Sequence, residues 1–138
     1  MTVLAADRHL PAVWPELWPL LEPAVRRSPD RPDVLARLNA HDAQLWGVYE
    51  AGRPLGGAVT MLQDHPGGRR CLFWLIGGRC ARTWGGELVE TVARWARPLG
   101  CVALWGAGRR GWAPIVAAFG FRRIADFEGQ PAWERRLA

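Results

Sequence analysis

The sequence predicts an α/β fold: a mixed, mostly antiparallel sheet flanked by helices, with one parallel strand pair joined by a central helix. Three observations carry this. The runs CLFWLI (71–76) and CVALW (101–105) are short and apolar throughout, as strands covered on both faces are. Between them Leu88, Val92, Trp95 or Ala96, and Leu99 recur at helical spacing, with Glu90, Arg94 and Arg97 on the other side. Upstream, strand-like runs alternate with hairpin-type turns.

In chain order, residues 1–40 read as a helical N-terminal part. Leu10 to Val25 carries Trp14, Leu17, Trp18, Leu20 and Leu21, an apolar set suited to a helix. Pro11, Pro15, Pro19 and Pro23 recur every four residues, and only the first is harmless, at the first helical position. The expectation is a broken helix or a string of turns. RRSPDRP is a loop, and Asp30 or Asp33 would cap a short helix running through Arg37 and Leu38.

Residues 44–138 carry the sheet and the central helix. QLWGVYE, LGGAVTMLQ and RCLFWLI form an antiparallel meander, joined by the turns AGRP and DHPGGR. After CVALWG and GAGRRGW, the run PIVAAF is a short helix with Pro114 near its first turn and Gly120 at its end. FRRIADF and AWERRL then close the sheet across the turn EGQP. At 138 residues the chain makes one domain, 1–138.

The parallel unit implies a site. Its loop GGRCARTWGG belongs at the carboxyl end of the first parallel strand, over the helix N-terminus. Free backbone amides and the helix dipole favour an anion there, and Arg79 and Arg82 would add charge-assisted bonds to a phosphate-bearing ligand. A strand-to-helix connection that needs glycine for its turn, with surface arginines nearby, accounts for the same residues.

Composition narrows the partners. No apolar stretch approaches a membrane span, and MTVLAADRHLPAVW lacks the basic-then-apolar pattern of a secretory signal. Cys71, Cys80 and Cys101 are odd in number and read as buried thiols suited to a reducing cytoplasm. His9, His41 and His65 have no metal-ligand spacing to any cysteine, so no metal is expected. The net charge is +5 and all 18 basic residues are arginine, with Arg-Arg doublets at 26/27, 69/70, 109/110, 122/123 and 135/136. They would attract phosphates or an acidic partner, or simply form a solvated surface. No aromatic-basic reader motif appears, which argues against nucleic acid. Most of the nine tryptophans sit in apolar runs and are expected in the core.

The pieces FWLIGGRCARTWGGELVETVARWA, LGCVALW and AAFGF, in this element order, resemble the GNAT superfamily of N-acetyltransferases over roughly Gln44 to Leu137. More narrowly, QLWGVYEAGRPLGGAVT, GGRCARTWGGELVETVARWARPLGC and GRRGW resemble a GNAT-like branch encoded in tailed-phage genomes, which would place the protein in a host cytoplasm. The resemblance implies acetyl-coenzyme A bound across splayed parallel strands, its pyrophosphate on the loop before the central helix. The residues so implied are Leu75, Ile76, Gly77, Arg79, Arg82, Thr83, Trp84, Gly85 and Gly86. Arg109 and Arg110, after the second parallel strand, would contact phosphate or substrate. In the family's loop pattern Gly85 matches the last position, while Thr83 stands where a glycine usually does and Cys80 where Gln or Arg does.

The family's usual acid and base are not matched: the strand 71–76 has no carboxylate, and the position of the usual Tyr, four before Gly120, is Val116. The only tyrosine is Tyr49, and Glu87 and Glu90 read as first-turn helix carboxylates that pair with the dipole or with arginines. No catalytic residue is assigned. Two function classes follow: an acetyltransferase acting on an amine or protein acceptor by positioning and direct attack, or a non-catalytic module of the same fold with a structural or interaction role in a phage, such as virion assembly, that binds coenzyme A or a phage or host protein.

Overall fold

The computed structural model describes residues 1–27 and 33–137. Seven strands form one sheet in the order β1-β2-β3-β4-β5-β7-β6: β1 Thr2–Ala5, β2 Gln44–Glu50, β3 Arg53–His65, β4 Gly68–Gly78, β5 Cys101–Ala107, β6 Arg122–Phe127 and β7 Gln130–Arg136. Only β4 and β5 are parallel, and every other neighbour is antiparallel. Helices α1 (Leu10–Arg27) and α2 (Val34–Asn39) pack with Leu45, Val59 and Leu75 in one apolar cluster. Helix α3 (Ala81–Ala96), partly buried residues of α4 (Ala113–Ala118) and the strand residues Phe73, Leu104 and Trp133 form the other. The predicted fold class holds.

Strand β1 is a correction to the helical reading of residues 1–40. It pairs with β2 from Thr2↔Tyr49 to Ala5↔Trp46 and extends the sheet by one edge strand. Four residues, mostly exposed, carry too little alternation to be recognised as a strand locally.

The proline-spaced segment is also corrected: α1 is one unbroken helix with Pro15, Pro19 and Pro23 inside it. Leu17 and Leu21 are fully buried, whereas Pro11, Pro15 and Pro19 are exposed and Pro23 is half-buried. A four-residue period places the missing amides along one side of the helix, where water can take the released carbonyls. Burial of the opposite side holds the helix together. Asp33 caps α2, its carboxylate accepting the amide of Ala36 at 3.0 Å; Asp30, the alternative cap, lies outside the described residues.

A close backbone approach joins α1 to the sheet. A Cβ at Gly77 of β4 would collide with the carbonyl oxygen of Leu20. The sheet and helix can meet there only without a side chain. Replacing Gly77 with Ala is therefore expected to cost ~1–3 kcal/mol in denaturant unfolding, as overpacking does. Gly67→Ala, where an added Cβ meets nothing within 4 Å, should change stability by less than ~0.5 kcal/mol.

Candidate active site

The site begins with an interrupted ladder. β4 pairs with β5 from Arg69↔Cys101 to Leu72↔Trp105 and no further, although β4 runs on to Gly78 and β5 to Ala107. On its other edge β4 remains paired with β3, but Val59 faces Leu75 and Thr60 faces Phe73, so Trp74 is an extra, bulged residue. The bulge breaks the two-residue alternation: Cys71 and Phe73 face α3, Trp74 and Leu75 join the α1 cluster, and Ile76 packs on the α3 side again. β5 meanwhile follows β7, pairing Gly106 with Trp133 and Ala107 with Ala132. The two parallel strands part, and a cavity of about 290 Å³ fills the gap.

Its walls come from both sides of the sheet. Trp84, Gly85, Leu88, Val116 and Phe119 line it from α3 and from α4 with its C-cap residue. Leu75, Ile76, Gly106 and Arg109 line it from the strand ends, and Ala24, Arg27, Phe127 and Glu128 from the end of α1 and the β6–β7 turn. The lining is mostly hydrocarbon and aromatic, with a few polar groups, as small-molecule sites usually are.

The loop before α3 is much shorter than expected. ARTWGG belongs to the helix, which starts at Ala81, so Glu87 and Glu90 are not first-turn carboxylates. Gly85 and Gly86 are tolerated inside it because the Phe119 ring packs where their side chains would stand. This tertiary contact offsets the ~1 kcal/mol that each glycine costs a helix. Leu99 falls outside α3, in a short 3-10 turn, and is 39% exposed.

Two hydrogen bonds, one of them from an indole, place the helix start. The Arg79 amide donates to the carbonyl of Leu55 at 2.9 Å, and the Trp84 indole N–H donates to the carbonyl of Arg79 at 2.5 Å. Trp84 is fully buried, and its ring occupies space beside Gly56 and Gly78 that a Cβ on either would invade. Cys80, the N-cap, takes a left-handed backbone, φ 56°. The Thr83 amide is already bonded to the Cys80 carbonyl at 2.8 Å. The remaining amides of the first turn have no acceptor within the helix, and its positive dipole end lies at Ala81.

The structure thus brings Leu75, Ile76, Trp84 and Gly85 to the cavity wall, with Arg109 beside them. Arg79, Arg82 and Thr83 are exposed around the helix start, Gly86 lies against Phe119, and Gly77 is taken up by α1. Arg110 is exposed on the short 3-10 turn that follows Arg109. Of the five arginine doublets, 109/110 is the one with neither member in an ion pair among the described residues. Elsewhere the pairs are internal: Arg135 with Glu90 at 2.6 Å, Arg69 with Asp64 at 3.0 Å and Arg70 with Glu134 at 3.6 Å. The hydrogen bond from Arg135 holds the Glu90 carboxyl below the usual range. Tyr49 is bonded to Glu16 at 3.4 Å, away from the cavity walls, and burial beside that carboxylate raises its pKa.

Sequence reasoning missed the contribution of Arg27, Phe127, Glu128 and Gln130. They lie far from the parallel unit in the chain, and the β5–β7 pairing brings the turn back to the gap. The closing antiparallel pair FRRIADF–AWERRL was legible, but not that its second strand pairs with β5 or which turn residues would reach the cavity.

An open mixed sheet whose parallel strands splay around an apolar cavity, with a helix N-terminus at the rim, defines the GNAT acetyltransferase fold. Solved structures agree with that class. The chain superposes on aminoglycoside 6'-acetyltransferase type Ii with TM-score 0.76 at 12% identity, covering 100% of this chain and 98% of that one. Tetrahymena GCN5 gives TM-score 0.74 at 13% identity over 99% of this chain and 94% of that one. A GNAT family acetyltransferase from Elizabethkingia anophelis with acetyl-CoA bound gives 0.69 at 14% identity, covering 99% and 97%. No family model matches the sequence, and no curated protein matches it in sequence.

The cysteine reading is corrected at one position. Cys71 and Cys101 are buried but Cys80 is exposed, and all three are free thiols. Burial, with Cys101 nearby, pushes the Cys71 thiol from 9.0 up to about 12, and burial also raises Cys101. Because thiolates are the reactive form, a maleimide at pH 8 should label Cys80 in the native protein and all three cysteines after denaturation. Counting adducts by intact mass checks this. The raised Cys71 pKa also means that its contribution to stability is complete below about pH 9 and is lost as pH rises from 9.0 toward about 12.

Proposed function

We propose that the chain is an acetyl-coenzyme A-dependent N-acyltransferase acting on an amine. The observation that supports this is the cavity in the β4–β5 gap: a donor lining it from the α3 side and an acceptor entering from the α1 side would meet between the strands. When bound, acetyl-coenzyme A supplies an activated acyl thioester. The chain's own residues fit such a group in two respects. Leu75, Ile76, Val116 and Phe119 offer an apolar wall to a slender arm. The first-turn amides of α3, with Arg79, Arg82, Arg109 and Arg110 close to the strand ends, suit phosphates. Among the described residues no carboxylate engages any of these four arginines, and Arg109 is the one that lines the cavity itself.

Catalysis on this reading comes from orientation. Backbone groups of β4 beyond Leu72 have no partner on β5, and an amide among them would polarise an acyl oxygen. Val116 lines the cavity where the resemblance places a Tyr, and β4 brings no carboxylate to it. Lacking a positioned acid or base typically forfeits ~10²- to 10⁴-fold in rate, so binding of the cofactor should be firmer than turnover is fast. This same observation favours a second reading, a coenzyme A-binding module without turnover. In either form we read the protein as phage-encoded and acting in a host cytoplasm, on the phage-like sequence pieces alone.

Calorimetric titration with acetyl-coenzyme A, followed by a thiol-release screen of amines, tests the proposal. Saturable binding with slow release is the expected outcome. Binding without release from any amine favours the module, and no binding removes the acyltransferase and leaves a structural or interaction role. Replacing Arg109 and Arg110 together with Ala should leave the unfolding midpoint unchanged while weakening coenzyme A about tenfold, the loss of one charge-assisted contact.

A further inference from the structure

We propose that Glu128 receives an ammonium group of the acceptor remote from the nitrogen that is acylated, which makes the acceptor an alkylamine with a second cationic nitrogen; the inference rests on the acyltransferase reading of the cavity. Glu128 lies in the two-residue turn between β6 and β7 and lines the cavity together with Phe127 and Gln130. It is the one carboxylate residue among those lining it, and among the described residues no arginine or histidine pairs with it. Its neighbours in the fold behave otherwise: Asp126 is bonded to Arg123, and Glu134 to Arg70 and Arg136.

The turn does not explain the side chain. Glu128 and Gly129 take left-handed backbones, φ 49° and 78°. The β2–β3 turn uses the same pair of conformations with Ala51 and Gly52, φ 50° and 77°. This geometry favours Asn, Asp or Gly at its first position, and Ala51 shows that it asks nothing of a side chain there. A glutamate is among the less favourable choices, held in a strained region beside the site.

The surroundings suit an ammonium on a hydrocarbon stem. Phe127, adjacent to Glu128, is 46% exposed, and its ring meets Trp105 edge-on with centroids 5.1 Å apart. Trp74, tipped toward the α1 side by the bulge, also lines the cavity. Aromatic faces attract cations, and a carboxylate at the rim adds a directed charge. Arg27, on the end of α1, lines the same cavity, and an acceptor chosen by Arg27 would be anionic instead.

Cadaverine and glutarate, a matched dication and dianion, separate these cases when titrated calorimetrically into the full chain without coenzyme A. Cadaverine should bind saturably and glutarate should not. Glu128→Gln should weaken cadaverine about tenfold with an unchanged unfolding midpoint, Glu128→Asp should retain most of the affinity, and Arg27→Ala should not weaken it. Glu128→Gly, which relieves the left-handed strain, should raise stability while weakening cadaverine at least as much as Glu128→Gln does, an outcome no purely structural role produces. Equal cadaverine affinity in Glu128→Gln, no cadaverine binding to the wild type, or glutarate binding lost in Arg27→Ala would each overturn the proposal. A parallel titration with acetyl-coenzyme A reports on the underlying reading separately: its failure beside Glu128-dependent cadaverine binding would remove the acyltransferase and leave the amine site.

Discussion

The early end of the β4–β5 ladder is the constraint on which the rest of the structure depends. A parallel pair buried on both faces normally keeps its hydrogen bonds to the strand ends, because unpaired backbone groups are costly away from water. Here pairing stops at Leu72↔Trp105, where the Trp74 bulge turns β4 and β5 stays with β7. The released edges line a cavity, which is a place where unpaired backbone groups can serve a ligand. The same bulge lets one short segment contribute to both cores, Phe73 to the α3 side and Leu75 to the α1 side.

Around that gap the elements are held by contacts that exclude side chains. Gly77 admits the backbone of α1, Gly56 and Gly78 admit the Trp84 ring, and Gly85 admits Phe119. Each replaces a local conformational cost with a tertiary packing gain. The arrangement fixes the start of α3 against β3 and β4 without relying on the N-cap side chain, for Cys80 makes no capping hydrogen bond. A rigid helix start at the rim of the gap is what an anion-binding site requires.

Charge is distributed by the same logic. Most arginine doublets spend at least one guanidinium on an internal carboxylate, joining β7 to α3 through Arg135 and Glu90, or β4 to β7 through Arg70 and Glu134. Arg70 also stacks 4.7 Å from the Trp105 ring centroid, bracing the last paired residues before the strands part. The net positive charge therefore does not describe one basic face. Among the described residues, what is left without an ion pair near the cavity is local and includes Arg109 and Arg110 after β5, and Glu128 in the β6–β7 turn, at the same end of the sheet, where the Gly108 amide donates to the Pro131 carbonyl.

The amino-acid sequence by itself determined the element types wherever apolar periodicity and turn residues agree. CLFWLI, CVALW and the Leu88–Val92–Ala96 stripe read correctly as a parallel unit because burial on two faces and on one helical stripe leave distinct patterns. It did not place the start of α3, because the glycines of ARTWGG read as loop and only the packing of Phe119 against Gly85 and Gly86 accounts for them inside the helix. Only tertiary structure decided that the proline-spaced segment stays helical, since the burial of Leu17 and Leu21 outweighs amides lost along the other side. Tertiary structure alone likewise exposed Cys80, added β1 through its pairing with β2, and carried Phe127 and Glu128 to the cavity. Local sequence records the preferences of a few neighbouring residues, whereas these outcomes depend on pairings between strands distant in the chain, whose energies no short window contains.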